Sequence, residues 1–276
     1  AMLLFSGYIL YLLLRRLPSK AAFFCRSVPA LMAVCLVLLG CHLYEKYTPT
    51  LLYSQTYNNE AVVLRTDGKV TVILNAEAEA ASDVLSYTLS SAHVTDIDLL
   101  ILTHYHADTA AYLSALHAQI PIRTVCALPA SYEEDLSARQ AAIQTADALD
   151  IAITEESGTI TAPGRNLRIK ILADLPLSTP SHTGFLLSAT YRDTEIRYFS
   201  AGIPGVLSQK DLDSFTEKAD FLILGMHPTK ADRTPDLSIP ADCTVIVGNP
   251  EKAPEGLLLT HKKAVTAASR LRYRIK

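Results

Sequence analysis

The chain has 276 residues, 49% of them hydrophobic, with 25 basic and 28 acidic side chains. This is enough for one domain of about 230 residues plus additional segments. The first 44 residues hold Arg15, Arg16, Lys20 and Arg26 and no acid, so the remainder carries 21 basic against 28 acidic side chains, a balance that argues against indiscriminate nucleic-acid binding over its whole surface.

Met2 to Leu14 is an almost unbroken apolar run, too short for a full bilayer crossing of about 20 residues. Because the chain opens on Ala1, the run reads as the remnant of a longer helix. Arg15-Arg16-Leu17-Pro18-Ser19-Lys20 makes a basic turn, and a second apolar run at 21–44 spans a bilayer. The expectation is a transmembrane helical hairpin over 1–44 with a cytoplasmic basic connection. By the positive-inside rule, residues 45–276 then form an extracytoplasmic domain at the cell membrane. Val37-Leu38-Leu39-Gly40-Cys41 keeps a second reading open, a lipobox in which acyl chains on Cys41 replace the helix as anchor. The five cysteines contain no Cys-x-x-Cys spacing and predict no disulfide framework; Cys126 and Cys243 border apolar runs and are expected to be buried.

After Tyr44 the pattern turns β-like. Strands are expected over 51–56, 61–66 and 70–74, with Asp67-Gly68 as a two-residue hairpin turn. A helix is expected from Glu77 to Ser91. Asp96 to Leu102 is a strand whose end, Leu99-Leu100-Ile101-Leu102, is apolar at every position, as in strands buried on both faces. It runs into Thr103-His104-Tyr105-His106-Ala107-Asp108-Thr109. Two imidazoles one residue apart, then a carboxylate, converge on a cation if the loop curls; that donor set suits zinc, manganese or iron.

Helices are expected at 108–118, 129–149 and 211–219, with Glu133-Glu134-Asp135 complementing the dipole of the second. Strands are expected at 122–127, 151–154, 159–161, 166–172, 195–200, 221–224 and 244–247. Pro180-Ser181-His182-Thr183-Gly184 forms a loop before a further strand. Arg270-Leu271-Arg272-Tyr273-Arg274-Ile275 alternates with period two and fits an edge strand guarded by charge; a phosphate-contacting stripe is the functional alternative.

Leu99-Leu100-Ile101-Leu102-Thr103-His104-Tyr105-His106-Ala107-Asp108 resembles the signature of the metallo-β-lactamase fold. Within that fold it is most similar to the C-terminal domain of the ComEC family of competence DNA-uptake proteins, whose usual run ends His-x-His-x-Asp-His. The resemblance implies an α/β architecture, an αββα sandwich of the metallo-β-lactamase type preceded by an N-terminal transmembrane hairpin. It implies hydrolysis of phosphodiesters at a metal site, DNA as partner, single- or double-stranded, and other DNA-uptake components at the membrane. Tyr57-Asn58-Asn59-Glu60-Ala61 stands at the family's Gly-Gln-Gly-Asp-Ala turn.

Several positions depart from that pattern. Thr109 replaces the final histidine, Asn75 a supporting aspartate, and Gly202 the aspartate that bridges two ions. Gly225-Met226-His227-Pro228-Thr229 keeps one of two histidines. What the resemblance then implies is an impaired or mononuclear site holding one zinc or manganese ion, or none. Its ligands would be His104, His106, Asp108 and His182, with Asp108 as base and His227 contacting substrate. A non-catalytic binding or structural module, or a lipoprotein with a decayed hydrolase fold, are the alternatives.

Overall fold

The computed structural model describes residues 8, 11, 20–56, 59–75, 82–130, 133–176, 183–200, 208–225, 237–248, 264–266 and 270–275. It falls into two compact units, Ala1–Thr48 and Pro49–Lys276.

In the first unit the helix α1 (Lys20–Tyr47) carries Pro29 inside it without ending there. Leu31, Met32, Leu36, Val37, Leu39 and Leu43 are all exposed, so the helix is apolar round its circumference. Its Val28–Tyr47 part is long and apolar enough to cross a membrane, a property that signal sequences share. Cys41 lies within the helix and is exposed. The first apolar run, Met2 to Leu14, lies outside the described residues except for Tyr8 and Tyr11, which are helical and exposed.

The second unit is built on two seven-stranded sheets. The first contains β1 (Thr50–Thr56), β2 (Asn59–Thr66), β3 (Lys69–Asn75), β4 (Leu99–Leu102), β5 (Thr124–Ala127), β6 (Ala152–Glu155) and β14 (Arg270–Arg274). The second contains β7 (Thr159–Ile160), β8 (Leu167–Pro176), β9 (Thr183–Tyr191), β10 (Thr194–Phe199), β11 (Phe221–Leu224), β12 (Thr244–Val247) and β13 (Ala264–Thr266). Their orders are β14-β1-β2-β3-β4-β5-β6 and β13-β12-β11-β10-β9-β8-β7.

Side-chain alternation explains the layers. Leu51, Tyr53, Val62, Leu64, Ile73, Leu99 and Ile101 point from the first sheet into a core shared with Ile169, Phe185, Leu187, Ile196, Tyr198 and Ile223 of the second. The alternate residues Leu52, Val63, Val72, Leu74, Leu100 and Leu102 point the other way. There they meet α2 (Ser82–Ser91), α3 (Thr109–Gln119) and α4 (Glu133–Ala148). Leu212 and Phe215 of α5 (Gln209–Thr216) cover the outer face of the second sheet, against Phe199, Leu222, Leu224 and Val245. Helices therefore lie outside two facing sheets, which is the αββα sandwich of the metallo-β-lactamase type.

The runs of β4 and β11, and Val245–Val247 of β12, are continuously apolar because both their faces are covered. The β2–β3 hairpin turns at Asp67 and Gly68, with φ of 53° and 74°, the left-handed pair expected of Asp-Gly. Three boundaries differ from expectation. The helix expected from Pro129 begins at Glu133, because the Leu128 carbonyl accepts from Tyr105 Oη and Arg139 Nε and the chain leaves β5 extended. β8 runs on to Pro176 through a register shift between Ile171 and Ala173. β13 follows the basic run at 261–263 and pairs in parallel with β12.

Candidate metal loop and the buried end of the sandwich

The C-terminal ends of β3, β4, β10, β11 and β12 gather at one end of the sandwich. β4 is parallel to β3, and β10, β11 and β12 are parallel to one another. Such ends are the usual place for sites in α/β proteins. Thr103 extends the β3–β4 ladder by one residue: its N–H and its hydroxyl each reach the Leu74 carbonyl at 3.1 Å.

The next residues alternate. His104 is buried at 1% exposure, and its Nδ1 lies 3.1 Å from Thr103 Oγ1. Tyr105 turns into the helix-side core, where its hydroxyl donates to the Leu128 carbonyl at 2.7 Å. Burial raises that phenol well above the usual tyrosine range. This anchor aims His106 back beside His104. The two rings are 6.4 Å apart between centroids and within 7° of parallel.

Thr109 occupies the first position of α3 and closes the loop. Its hydroxyl accepts from the His106 N–H at 2.8 Å, and its own N–H donates to the His106 carbonyl at 3.0 Å. Asp108 precedes it as the capping residue of α3; its side chain makes no capping hydrogen bond and is exposed. The structure thus brings His104 and His106 together and leaves Asp108 at the surface. His182, His227 and Gly202 lie outside the described residues. Among the described residues no group of three or more His, Cys, Asp or Glu side chains is arranged to hold a metal ion. A pair of ions needs a shared bridge and several donors for each member. The described donor set is two imidazoles and an outward carboxylate, which does not fit a pair.

Beside this loop sits a buried acid. Glu60 is 1% exposed on β2. Its Oε2 accepts from Tyr53 Oη of β1 at 2.6 Å, and its Oε1 accepts from Tyr198 Oη of β10, on the opposite sheet. Burial first, then the Glu60 charge, raises both phenols well above the usual range, so both keep their protons. Asn75 faces Glu60 across the β2–β3 ladder, is fully buried, and its amide finds no hydrogen-bond partner among the described residues. Gly248, just past β12, closes the cluster; a Cβ there would lie 2.5 Å from Tyr53 Oη and 2.9 Å from Glu60 Oε2.

Sequence reasoning placed Glu60 in a turn and assigned it no role. The available signal was parity. Glu60 shares its face of β2 with Val62 and Leu64, which point between the sheets, so the alternation puts an acid at an inward position.

No protein-family model matches the chain, and no curated protein sequence does. Among solved structures it is similar to CmlA, a diiron β-hydroxylase from Streptomyces venezuelae, at 14% identity and a TM-score of 0.49, over 83% of this chain and 54% of that one. The chain therefore spans about half the length of that enzyme. The flavodiiron core of Flv1 from Synechocystis sp. PCC6803 follows at 15% identity and a TM-score of 0.36, over 53% of this chain and 39% of that one. Both are diiron proteins by name. Likeness at this level transfers neither their activity nor their metal, and the fold rests on the strand order and layers described above.

Proposed function

We propose that this is a membrane-anchored, extracytoplasmic metallo-β-lactamase-like domain, related to the C-terminal domain of ComEC DNA-uptake proteins, whose site no longer holds two metal ions. Residues 1–44 are its membrane segment and residues 45–276 its outer domain. The observation that carries the reading is Thr109: where the resemblance calls for a metal-binding histidine, a hydroxyl closes the loop on the His106 N–H. A threonine hydroxyl is a poorer metal ligand than an imidazole, and this one is already committed to the loop. At most one zinc or manganese ion remains, on His104, His106 and His182, with Asp108 near it as base and His227 toward a phosphate. DNA and other uptake components at the membrane are the partners that accompany this reading.

Metal analysis of the full chain, purified in detergent from cells supplied with zinc or manganese, tests it. The expected content is no more than one ion per chain, lost in His104→Ala, with weak or no cleavage of single- or double-stranded DNA. Two ions per chain overturn the proposal. The outward position of Asp108 favours a second reading, a non-catalytic binding or structural module of a membrane assembly. A content of zero would select it. A lipid-sized mass on Cys41 would replace the helical anchor by an acylated one.

A further inference from the structure

β14 is the margin of the first sheet, with β1 on its inner side. Leu271 and Tyr273 pack against the core between the sheets, and the Tyr273 ring meets Phe221 edge-on at 5.5 Å between centroids. Alternation along the strand therefore turns Arg272 and Arg274 to the outer face, where both are exposed. Across the ladder they stand beside Leu52 and Thr50 of β1, and beyond those lie Val63 and Arg65 of β2, so neither rung sets a carboxylate against them. The same margin is the tethered one. The last turn of α1 holds Tyr44, Lys46 and Tyr47, all exposed, the aromatic and basic side chains that settle at the level of lipid headgroups. Thr50, three residues after Tyr47, is the cross-strand partner of Arg274, and the Pro49 carbonyl accepts from the Ile275 N–H at 3.1 Å. Covalent reach and one strand spacing together keep the Arg274 backbone within about 15 Å of the end of α1, whatever the angle at Thr48–Pro49.

We propose that Arg272 and Arg274 form a docking edge for the anionic phospholipid headgroups around α1. The proposal rests on α1 being a membrane helix. A guanidinium matches a headgroup phosphate with two parallel N–H donors. Each basic side chain held at an anionic surface favours the bound state about fivefold, so the pair favours it roughly thirtyfold. After residue 44 the chain carries 21 basic against 28 acidic side chains, an excess that an anionic leaflet repels, so the edge that docks is the basic one. The strand β1 has seven residues and runs roughly 20 Å from Thr50 to Thr56. Thr56 lies at the end of the sandwich where β3 and β4 finish and the His104 loop begins. Docking by the Arg274 end therefore keeps His104 and His106 a strand length away from the lipid, open to whatever arrives from outside.

The test is arginine footprinting of the full chain in lipid nanodiscs, one set of phosphatidylcholine alone and one containing phosphatidylglycerol. Phenylglyoxal, an uncharged reagent, labels accessible guanidinium groups, and peptide masses give the rate at each arginine. The expected result is that Arg272 and Arg274 label roughly tenfold more slowly in the anionic discs, and that high salt restores their rate. Arg168, exposed on β8 of the second sheet, labels alike in both sets. Equal rates for Arg272 and Arg274 in the two lipids overturn the proposal. So does an equal slowing of Arg168, which would reflect the reagent and not the edge. Protection of the pair by a DNA duplex added to neutral discs, with none from phosphatidylglycerol, replaces the lipid by a nucleic acid. A chain that stays outside the discs overturns the membrane reading of α1 and this proposal with it, whereas the other failures leave that reading standing.

Discussion

At the scale of single residues, the end of the sandwich is held by contacts that leave no room. Gly248 must be glycine because Tyr53 Oη, Glu60 Oε2 and the Leu224 carbonyl lie 2.5, 2.9 and 3.0 Å from where a Cβ would stand. The phenol cannot swing aside without leaving the carboxylate, and the carbonyl is fixed by the Gly248 N–H at 2.8 Å. Gly248→Ala is therefore expected to lower stability by about 1–3 kcal/mol, the usual cost of an extra methyl group in a packed interior. Denaturant unfolding measures it, and an unchanged midpoint would mean that Tyr53 and Glu60 do not sit as described. Asn75 adds a second tension, since an unsatisfied buried amide costs stability rather than supplying it.

At the scale of elements, the opposite end of the sandwich is latched by one turn. Asp67, between β2 and β3 on the first sheet, accepts from Tyr191 Oη of β9 at 3.0 Å and from the backbone and side-chain nitrogens of Asn166 at 3.1–3.3 Å. Desolvation by burial pushes its carboxyl up, but the bonds from Tyr191 and Asn166 outweigh it and hold the group below its usual range. A carboxyl with a lowered folded value stabilises the protein above the unfolded value of about 3.9 and loses that contribution as pH falls through the folded one. Asp67→Asn keeps a residue that tolerates the left-handed turn and removes only the charge. The variant should be less stable than the parent near neutral pH, with the gap closing below about pH 4. A gap independent of pH would exclude the charge as its cause.

That turn was legible in the sequence, because Asp-Gly at two left-handed positions has few alternatives. So were β4 and β11, whose uninterrupted apolar runs leave no face for water, and the Val-Ile-Val of β12. The resemblance carried by Leu99 to Asp108 supplied the layer order. The outward turn of Asp108 was not legible. It depends on α3 starting at the next residue, and on Thr109 spending its hydroxyl on the loop rather than on a partner elsewhere. The Glu60 cluster was hidden for a different reason. Tyr53 and Tyr198 stand 7 and 138 residues from their shared acid, a separation that no local pattern encodes.

At the scale of the whole molecule, the two units differ in what they show to solvent. Large exposed apolar side chains crowd α1, whereas between Pro49 and Lys276 the described ones are Tyr87, Leu136 and Leu172, scattered singly. The second unit also contains all three apolar cores. A fragment of residues 49–276 should thus purify without detergent and unfold in one cooperative step, as a domain with its own core does. Aggregation of that fragment, or a melt without a cooperative transition, would show that the N-terminal unit is part of the fold.

The pairing of β14 with β1 has a bearing on biosynthesis. Tyr53 lies opposite Leu271, and the Ile275 N–H reaches back to the Pro49 carbonyl, so β1 is completed by a strand made more than two hundred residues after it. While the chain is being synthesised, β1 has β2 on one side and an open row of backbone donors and acceptors on the other. Ring closure over more than two hundred residues is slow compared with hairpin formation. A ribosome stalled before residue 270 therefore releases a sandwich with a sticky border. The arginines at 270, 272 and 274 arrive together with the strand that seals it.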